Sequence, residues 1–213
     1  AERARESLPS ECWARKIRSM LDHPFKSWLA VKSDPAVRRL VRAGVHPDAL
    51  TWLGFGLSAA SALLTVQGRP FWALSLWWCG RVFDGLDGLV ARASGKQSHR
   101  GGFLDINLDM AAYSLVALAF LIQTQWLLTW GLILVGYVLC ITGALSLGDI
   151  EEAKDNRSLR IASGLAEAGE TGIFYSLMWL LPEYGRIWCG VWIAILSQTI
   201  IARFWRAYKK GSK

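Results

Sequence analysis

Long apolar runs separated by clusters of charge are the feature that most constrains this 213-residue chain. The runs are about 17–23 residues long, and a helix needs about 20 apolar residues to cross the roughly 30 Å hydrocarbon core of a bilayer. Hydrophobic residues make up 53% of the chain and charged residues 19%, against about 25% charged in a typical soluble domain. The pattern excludes a soluble enzyme, a disordered tail and a disulfide-rich secreted module. It predicts an all-α membrane protein.

Six membrane-spanning helices are predicted from these runs. Pro70 and Pro182 mark breaks between neighbouring runs. The fifth run is short, and a weaker helical segment from Ile161 extends it backwards. The six predicted spans cover Ala49–Val66, Pro70–Arg92, Gly102–Ile122, Trp126–Leu147, Gly172–Leu181 and Tyr184–Phe204.

The first 48 residues form a charged arm with ten Lys/Arg and six Asp/Glu. Apolar residues such as Trp28 and Leu40 alternate there with basic ones, which predicts one or two short amphipathic juxtamembrane helices broken near Asp34-Pro35. A plain polybasic arm is the alternative. The predicted organisation is an arm over residues 1–48, a six-helix membrane domain over 49–206 and a basic tail over 207–213.

Basic residues are distributed unevenly among the predicted loops, and this predicts the orientation. The loops after the first, third and fifth spans hold only Arg69 and Arg186, whereas the arm, the other loops and the tail are basic. The positive-inside rule then places both termini in the cytoplasm. Four tryptophans fall near the predicted outer ends of the spans, where an aromatic belt would lie: Trp126, Trp130, Trp188 and Trp192.

Two predicted spans carry carboxylates that a bilayer would disfavour. Asp84 and Asp87 lie three residues apart, and Asp105 and Asp109 lie four apart, so each pair shares a helix face. A charged residue at the centre of a span costs roughly 2.5–3.5 kcal/mol, and Arg81 lies in the same span as the first pair. Both pairs fall near the cytoplasmic ends. Four converging oxygen ligands suit one or two hard cations, Mg²⁺ or Mn²⁺, and indicate a functional site.

Small residues surround these acids. Gly85, Gly88 and Ala91 follow one another on the second span, and Gly101-Gly102 open the third. They have two interpretations. They would let a phosphate-bearing ligand approach the backbone, or they would let helices pack closely.

The order Asp84-x2-Asp87-Gly88-x2-Ala91-Arg92-x8-Gly101-x3-Asp105-x3-Asp109 resembles the signature of the CDP-alcohol phosphotransferases, also called CDP-alcohol phosphatidyltransferases. Eight fixed residues fall at fixed spacing across 26 positions, and the resemblance extends over most of residues 25–206. One departure is Pro47-Asp48-x-x-Thr51, where the family often has Pro-Asn-x-x-Thr. A carboxylate therefore stands where an amide is common.

The resemblance implies an enzyme that transfers a substituted phosphate from a CDP-linked donor, CDP-diacylglycerol in the phospholipid branch, to an alcohol and releases CMP. It implies a homodimer, metal ligation by the four aspartates, and Asp109 as the general base. The residues implied to bind CDP are Thr51, Asp84, Gly88, Ala91, Arg92, Gly101 and Asp105.

An acceptor pocket is predicted from polar residues around the fifth and sixth spans: Arg160, Glu167, Glu170 and Arg203. The alternatives are electrostatics at a helix start for the glutamates and membrane anchoring for Arg203. A phosphorylated polyol, such as glycerol 3-phosphate or an inositol phosphate, is the favoured acceptor because arginines bind phosphate. Serine and another lipid's hydroxyl remain open.

Two other functional classes fit the buried acids. A transporter would use them to relay protons or cations, although no inverted repeat is evident in the sequence. An inactive family member would serve as a scaffold. The basic cytoplasmic face and small size favour a bacterial inner membrane, with an organellar membrane as the alternative. No nucleic-acid partner is expected.

Overall fold

The computed structural model describes residues 35–152 and 168–211, and the side chains of these residues except at 147–152, 168 and 209–211. Every regular element in this part of the chain is a helix. The helices are α1 (residues 35–42), α2 (Pro47–Val66), α3 (Pro70–Ala93), α4 (His99–Thr124), α5 (Leu127–Glu152), α6 (Ala168–Leu180) and α7 (Gly185–Gly211), with a 3₁₀ turn at Pro182–Tyr184.

Proline, glycine and one serine set the helix boundaries around the future site. Pro47 and Pro70 stand in the first turns of α2 and α3, where a missing N–H costs nothing. Gly68 adopts φ +69° between these helices, a conformation that favours glycine. Ser98 caps α4, and its hydroxyl accepts a hydrogen bond from the N–H of Gly101 at 3.0 Å.

Four described helical segments are long and apolar enough to cross a bilayer: Pro47–Val66, His99–Thr124, Leu127–Ser146 and Pro182–Tyr208. α3 has the length but carries the charged residues of the signature. α6 is described over only 13 residues, and the predicted extension from Ile161 lies outside the described residues. The predicted all-helical fold is therefore confirmed for the described residues, which contain four candidate membrane spans, whereas the count of six spans stays a prediction.

α1 packs against the ends of α2 and α3. Val37 is buried there with Leu50 of α2 and Val90 of α3, while Arg39 and Arg42 are exposed. The apolar face of α1 is thus turned towards the bundle. Residues 1–34, including most of the predicted amphipathic arm, lie outside the described residues.

α2 and α3 cross with their backbones in contact. A Cβ atom at Gly80 would lie 2.8 Å from the carbonyl oxygen of Gly54 and 2.8 Å from Oγ of Ser58, so nothing larger than glycine fits without a shift. Further along, the Ser61 hydroxyl donates to the carbonyl of Ala73 at 2.7 Å. This close crossing fixes α3 and its carboxylates against α2.

Rings fill the centre of the bundle. We call this set the aromatic core: Trp77, Phe120, Trp130, Tyr137, Phe174, Tyr175, Trp179 and Trp192, all buried. The belt prediction is wrong for Trp130 and Trp192. The ring centroids of Trp130 and Phe120 lie 5.3 Å apart, and those of Trp192 and Phe174 lie 5.0 Å apart, with both pairs stacked. These two tryptophans therefore face the interior of the bundle and not the membrane interface.

Large apolar side chains cover the outside of the bundle. Phe71, Leu128 and Ile187 are among those more than half exposed. Such a surface would be a liability in water, and it suits contact with lipid acyl chains.

Candidate active site

Three of the predicted carboxylates meet between α3 and α4. One oxygen from each of Asp84, Asp105 and Asp109 lies within 4.8 Å of the others, and all three side chains are half-buried. Asp84 comes from α3, whereas Asp105 and Asp109 come from successive turns of one face of α4. We call these three residues the acid cluster.

Asp87, the fourth carboxylate, lies beside the acid cluster rather than in it. It is 6% exposed, and its Oδ2 accepts a hydrogen bond from the hydroxyl of Thr51 at 2.5 Å. This contact turns Asp87 towards α2. Thr51, predicted to bind nucleotide, therefore also orients a predicted metal ligand.

The acid cluster fits a divalent cation by its chemistry. Its donors are all carboxylate oxygens, the ligands that Mg²⁺ and Mn²⁺ prefer. Ligand oxygens of one octahedral Mg²⁺ ion stand about 3 Å apart when adjacent and about 4.2 Å apart when opposite. Small side-chain rotations would therefore bring the three oxygens, now within 4.8 Å of each other, to one ion.

A cavity of about 200 Å³ opens at the same end of the bundle. Its walls come from the start of α2, the end of α3, the following loop and the start of α4. Six of the seven residues expected to bind CDP line it: Thr51, Gly88, Ala91, Arg92, Gly101 and Asp105. The seventh, Asp84, belongs to the acid cluster. Asp105 is common to the cavity and the cluster, so the two are continuous.

The glycines of the cavity are not helix-packing glycines. A Cβ at Gly102 would meet nothing within 4 Å, and at Gly88 it would meet only the guanidinium of Arg92, no closer than 3.4 Å. At Gly101 the nearest atom would be Oγ of Ser98 at 3.2 Å, in the cavity wall. Their missing side chains leave room in the cavity, as the ligand-access interpretation requires.

Several cavity residues carry no predicted role from sequence. Lys96 and Ser98 lie in the loop before α4. Ser98 could have been recognised in the sequence as a residue that caps a helix, whereas nothing in the sequence pattern marks Lys96. Asp48 also lines the cavity, with Oδ1 3.7 Å from Nδ1 of His46. The residue that departs from the family pattern thus lies at the cavity wall.

Arg81 also has no role predicted from the sequence, although it contacts the acid cluster. Its Nη1 donates to Asp109 Oδ1 and to Tyr113 OH at 3.2 Å, and it lies 3.5 Å from Asp84 Oδ2. Nη2 lies 3.4 Å from the hydroxyl of Ser58. The available signal was its position one helical turn before Asp84.

Of the predicted acceptor residues, the structure describes only Glu170 and Arg203. Arg160 and Glu167 lie outside the described residues. Glu170 is exposed in the first turn of α6. Arg203 is 6% exposed, and its Nη1 donates to the carbonyl of Cys140 on α5. Neither Glu170 nor Arg203 lines the cavity described above.

Comparison with known protein families gives a match over most of the chain. Residues 44–202 match the family model described as CDP-alcohol phosphatidyltransferase. The matched segment contains the whole aspartate signature and every described helix from α2 to the greater part of α7.

Curated relatives are also similar over much of their length. The inner membrane protein YnjF of Escherichia coli (strain K12) is 29% identical over 198 residues, which cover 89% of this chain and 96% of the relative. A phosphatidylinositol phosphate synthase of Mycobacteroides abscessus is 31% identical over 141 residues, 65% of this chain and 63% of the relative.

Two crystal structures of the Mycobacterium tuberculosis phosphatidylinositol phosphate synthase share the fold. The structure with CDP-DAG bound aligns with a TM-score of 0.61 at 24% identity, covering 80% of this chain and 90% of that one. The structure in complex with manganese and citrate aligns with a TM-score of 0.60 at 24% identity, covering 80% and 86%. This similarity establishes the helical fold.

Proposed function

The chain belongs to the CDP-alcohol phosphatidyltransferase family, and we propose that it transfers the phosphatidyl group of CDP-diacylglycerol to the hydroxyl of an acceptor alcohol. CMP is the second product. Membership makes the chain an enzyme of phospholipid synthesis, so the transporter hypothesis is set aside. The relatives named for phosphatidylinositol phosphate synthesis and the related structure with bound CDP-DAG support the choice of donor.

The observation that carries the proposal is the continuity of the cavity with the acid cluster through Asp105. A donor that fills the cavity has its nucleotide against the glycines and its reacting phosphate beside the carboxylates. The reaction needs both at once, because the bond that breaks joins the phosphatidyl group to CMP.

The cavity residues would bind the anionic diphosphate. The guanidinium of Arg92 and the ammonium of Lys96 supply positive charge at the wall. Gly88 and Gly102 leave the helix backbone uncovered, so phosphate oxygens can approach it closely. The start of α4 also favours anions, because the positive end of the helix dipole lies there.

Asp84, Asp87, Asp105 and Asp109 would hold one or two Mg²⁺ or Mn²⁺ ions. Such an ion neutralises negative charge that develops on the diphosphate as CMP departs. Asp87 reaches the site from the side of α2, where Thr51 fixes its orientation. The related structure in complex with manganese supports the choice of ion.

Asp109 would act as general base. Its carboxylate accepts the proton of the acceptor hydroxyl as the hydroxyl oxygen attacks the phosphorus that carries diacylglycerol. The bond from that phosphorus to the CMP oxygen breaks, and CMP leaves with the electron pair. The half-buried position of Asp109 keeps it reachable for a substrate while partly shielded from water.

The acceptor we favour is a phosphorylated polyol, and among these an inositol phosphate. The relatives named for phosphatidylinositol phosphate synthesis support this choice. Arg160, Glu167, Glu170 and Arg203 are the proposed pocket residues. Arg203 is buried, and its Nη1 already donates to the carbonyl of Cys140. An acceptor would therefore meet this guanidinium at its remaining N–H groups.

The chain is an integral membrane protein, and we place it in a bacterial inner membrane with the cavity and both termini in the cytoplasm. The relative named as an inner membrane protein supports this location. The proposed organisation is the arm over residues 1–48, the catalytic domain of six spans over 49–206 and the tail over 207–213. The proposed assembly is a homodimer.

The test is turnover of radiolabelled CDP-diacylglycerol by the purified protein in detergent with Mn²⁺ or Mg²⁺. Acceptors are offered singly: inositol 1-phosphate, glycerol 3-phosphate, inositol and serine. The proposal expects metal-dependent CMP release with one phosphorylated polyol, lost in Asp109→Asn. Release with serine alone would overturn the acceptor assignment. No release from folded, metal-loaded protein with any acceptor would contradict the transferase proposal and favour the scaffold.

A further inference from the structure

We propose that Arg81 is a positioning residue of this site, whose guanidinium holds the carboxylates of Asp84 and Asp109 together before a metal ion arrives. It would act through those two residues and touch no substrate. The inference deepens the proposed function and rests on it for the role of the acid cluster. Its test below uses no substrate, so the two can fail separately.

The contacts of Arg81 show a side chain that joins both helices of the acid cluster. Arg81 lies on α3 with Asp84, and its Nη1 donates to Asp109 on α4. The same nitrogen lies 3.5 Å from Asp84 Oδ2. A single planar guanidinium therefore lies against two of the three carboxylates of the acid cluster.

Arg81 is itself confined. Its side chain is 9% exposed, and its guanidinium carbon lies 4.9 Å from the ring centre of Trp77 and 5.3 Å from that of Tyr113. The second terminal nitrogen lies 3.4 Å from the hydroxyl of Ser58 on α2. Stacking on two rings and a forked set of donors suit arginine, and a lysine would lose the fork.

Tyr113 completes the restraint on Asp109. Its hydroxyl lies 3.3 Å from Asp109 Oδ2, while Arg81 holds Oδ1. The backbone carbonyl of Tyr113 accepts a 2.7 Å hydrogen bond from Tyr175, whose hydroxyl lies 3.0 Å from that of Tyr137. Tyr113 is therefore tied to the aromatic core. Both oxygens of Asp109 are restrained, and each keeps a further lone pair for a metal or a proton.

Charge explains why the metal-free site needs such a residue. Three carboxylates with oxygens within 4.8 Å repel each other strongly where water is scarce. Arg81 supplies a fixed positive charge on the inner side of the acid cluster. A divalent ion would supply charge from the cavity side and relieve the same repulsion. The contribution of Arg81 should therefore be largest when no metal is bound.

The experiment is thermal unfolding of the full chain in detergent, followed by tryptophan fluorescence, in EDTA and in saturating Mn²⁺. Arg81→Met should lower the Tm by about 10 °C in EDTA, because breaking a buried ion pair leaves a carboxylate unpaired. In Mn²⁺ the loss should shrink to less than about half of that value. Arg186→Met is the matched control, since Arg186 also stacks on a tryptophan, Trp126 at 5.2 Å, and lies far from the acids. It should shift Tm by less than about 3 °C in both buffers.

Two further variants separate positioning from a merely structural role. In an Asp109→Asn background, Arg81→Met should cost less than half of its Tm loss in the otherwise unaltered chain, because the unpaired charge is gone. Arg81→Lys should fall between the natural residue and methionine in EDTA. An equal Tm loss in EDTA, in Mn²⁺ and in the Asp109→Asn background would overturn the proposal. If Arg81→Met does not fold, the double variant must fold, and its failure would overturn the proposal as well.

Discussion

The cavity end of this bundle and its aromatic core use space in opposite ways. The cavity end comprises the acid cluster and the cavity-lining residues Thr51, Asp87, Gly88, Arg92, Gly101 and Gly102. There, glycines leave backbone uncovered, and the three carboxylates of the acid cluster are only half-buried. In the aromatic core, rings stack, and the hydroxyl of Tyr137 pairs with the hydroxyl of Tyr175 and the indole N–H of Trp192. The cavity end is therefore open to a ligand, whereas the aromatic core is packed too closely to admit one.

The two regions meet at Tyr113. Its ring lies 5.8 Å from that of Trp77 in the aromatic core, and its hydroxyl faces Asp109 at the cavity end. Substitutions at the cavity end should therefore change chemistry with little effect on stability. Substitutions in the aromatic core should do the reverse.

The largest effect is expected at the acid cluster. Asp84→Asn replaces an anionic metal ligand by a neutral amide, and metal-dependent CMP release should fall by at least about 10³-fold, since a bound ion supplies several kcal/mol of stabilisation. Its Tm in EDTA should stay within about 3 °C of the unaltered protein. Glu183→Gln, an exposed carboxylate outside the site, is the control. If Asp84→Asn retains a tenth or more of the CMP release, the acid cluster is not the centre of the chemistry, and the functional distinction between the cavity end and the aromatic core fails.

A matched pair of alanine substitutions tests the two kinds of glycine. Gly80→Ala places a methyl group 2.8 Å from the Gly54 carbonyl, so the free energy of unfolding should fall by about 1–3 kcal/mol. Gly102→Ala meets no neighbour and should not lower the Tm. Its methyl group narrows the cavity, and the KM for CDP-diacylglycerol should rise about tenfold, or about 1.4 kcal/mol. Equal Tm losses in the two variants would show that both glycines serve packing.

The aromatic core should respond through stability alone. Tyr175→Phe removes a hydroxyl that donates to the Tyr113 carbonyl and pairs with Tyr137. The free energy of unfolding should fall by about 1–3 kcal/mol because buried polar groups lose a partner. The kcat/KM of the remaining folded enzyme should stay within about threefold. Tyr184→Phe, half-exposed, should change neither quantity. A large loss of kcat with unchanged Tm would assign Tyr175 to the chemistry instead.

The smallest effect is expected at the hydrogen bond between Thr51 and Asp87. Thr51→Val preserves the shape and removes the donor, so CMP release should fall about two- to tenfold. Thr51→Ser keeps the hydroxyl and should retain most of the activity. Identical losses in valine and serine variants would mean that the methyl group, and not the hydrogen bond, matters there.

Helix boundaries were predictable because proline and glycine act locally. The first span was predicted over Ala49–Val66 and the helix covers Pro47–Val66. The third was predicted from Gly102 and the helix begins at His99, because the Ser98 cap makes polar residues helical before the apolar run begins. Hydropathy detects where a helix enters the apolar region, and capping decides where the helix starts.

The convergence of the aspartates was predictable from the sequence because it also depends on local spacing. Spacings of three and four place side chains on one helix face, so Asp105 and Asp109 had to lie together. Such spacings do not predict which residues of two different helices contact each other. The sequence alone could not show that Asp87 turns to Thr51, that Arg81 lies between Asp84 and Asp109, or that inward-facing tryptophans are not a belt.

The central claim is that the acid cluster and the cavity form one site for a metal-assisted transfer from CDP-diacylglycerol. Its most direct test is a crystal structure of the protein with Mn²⁺ and CDP-diacylglycerol, with the ion located by anomalous scattering. We expect an anomalous peak about 2.0–2.6 Å from oxygens of Asp84, Asp105 and Asp109, and a diphosphate beside Arg92 and Gly102. A peak away from these carboxylates, or a donor bound outside the cavity, would contradict it.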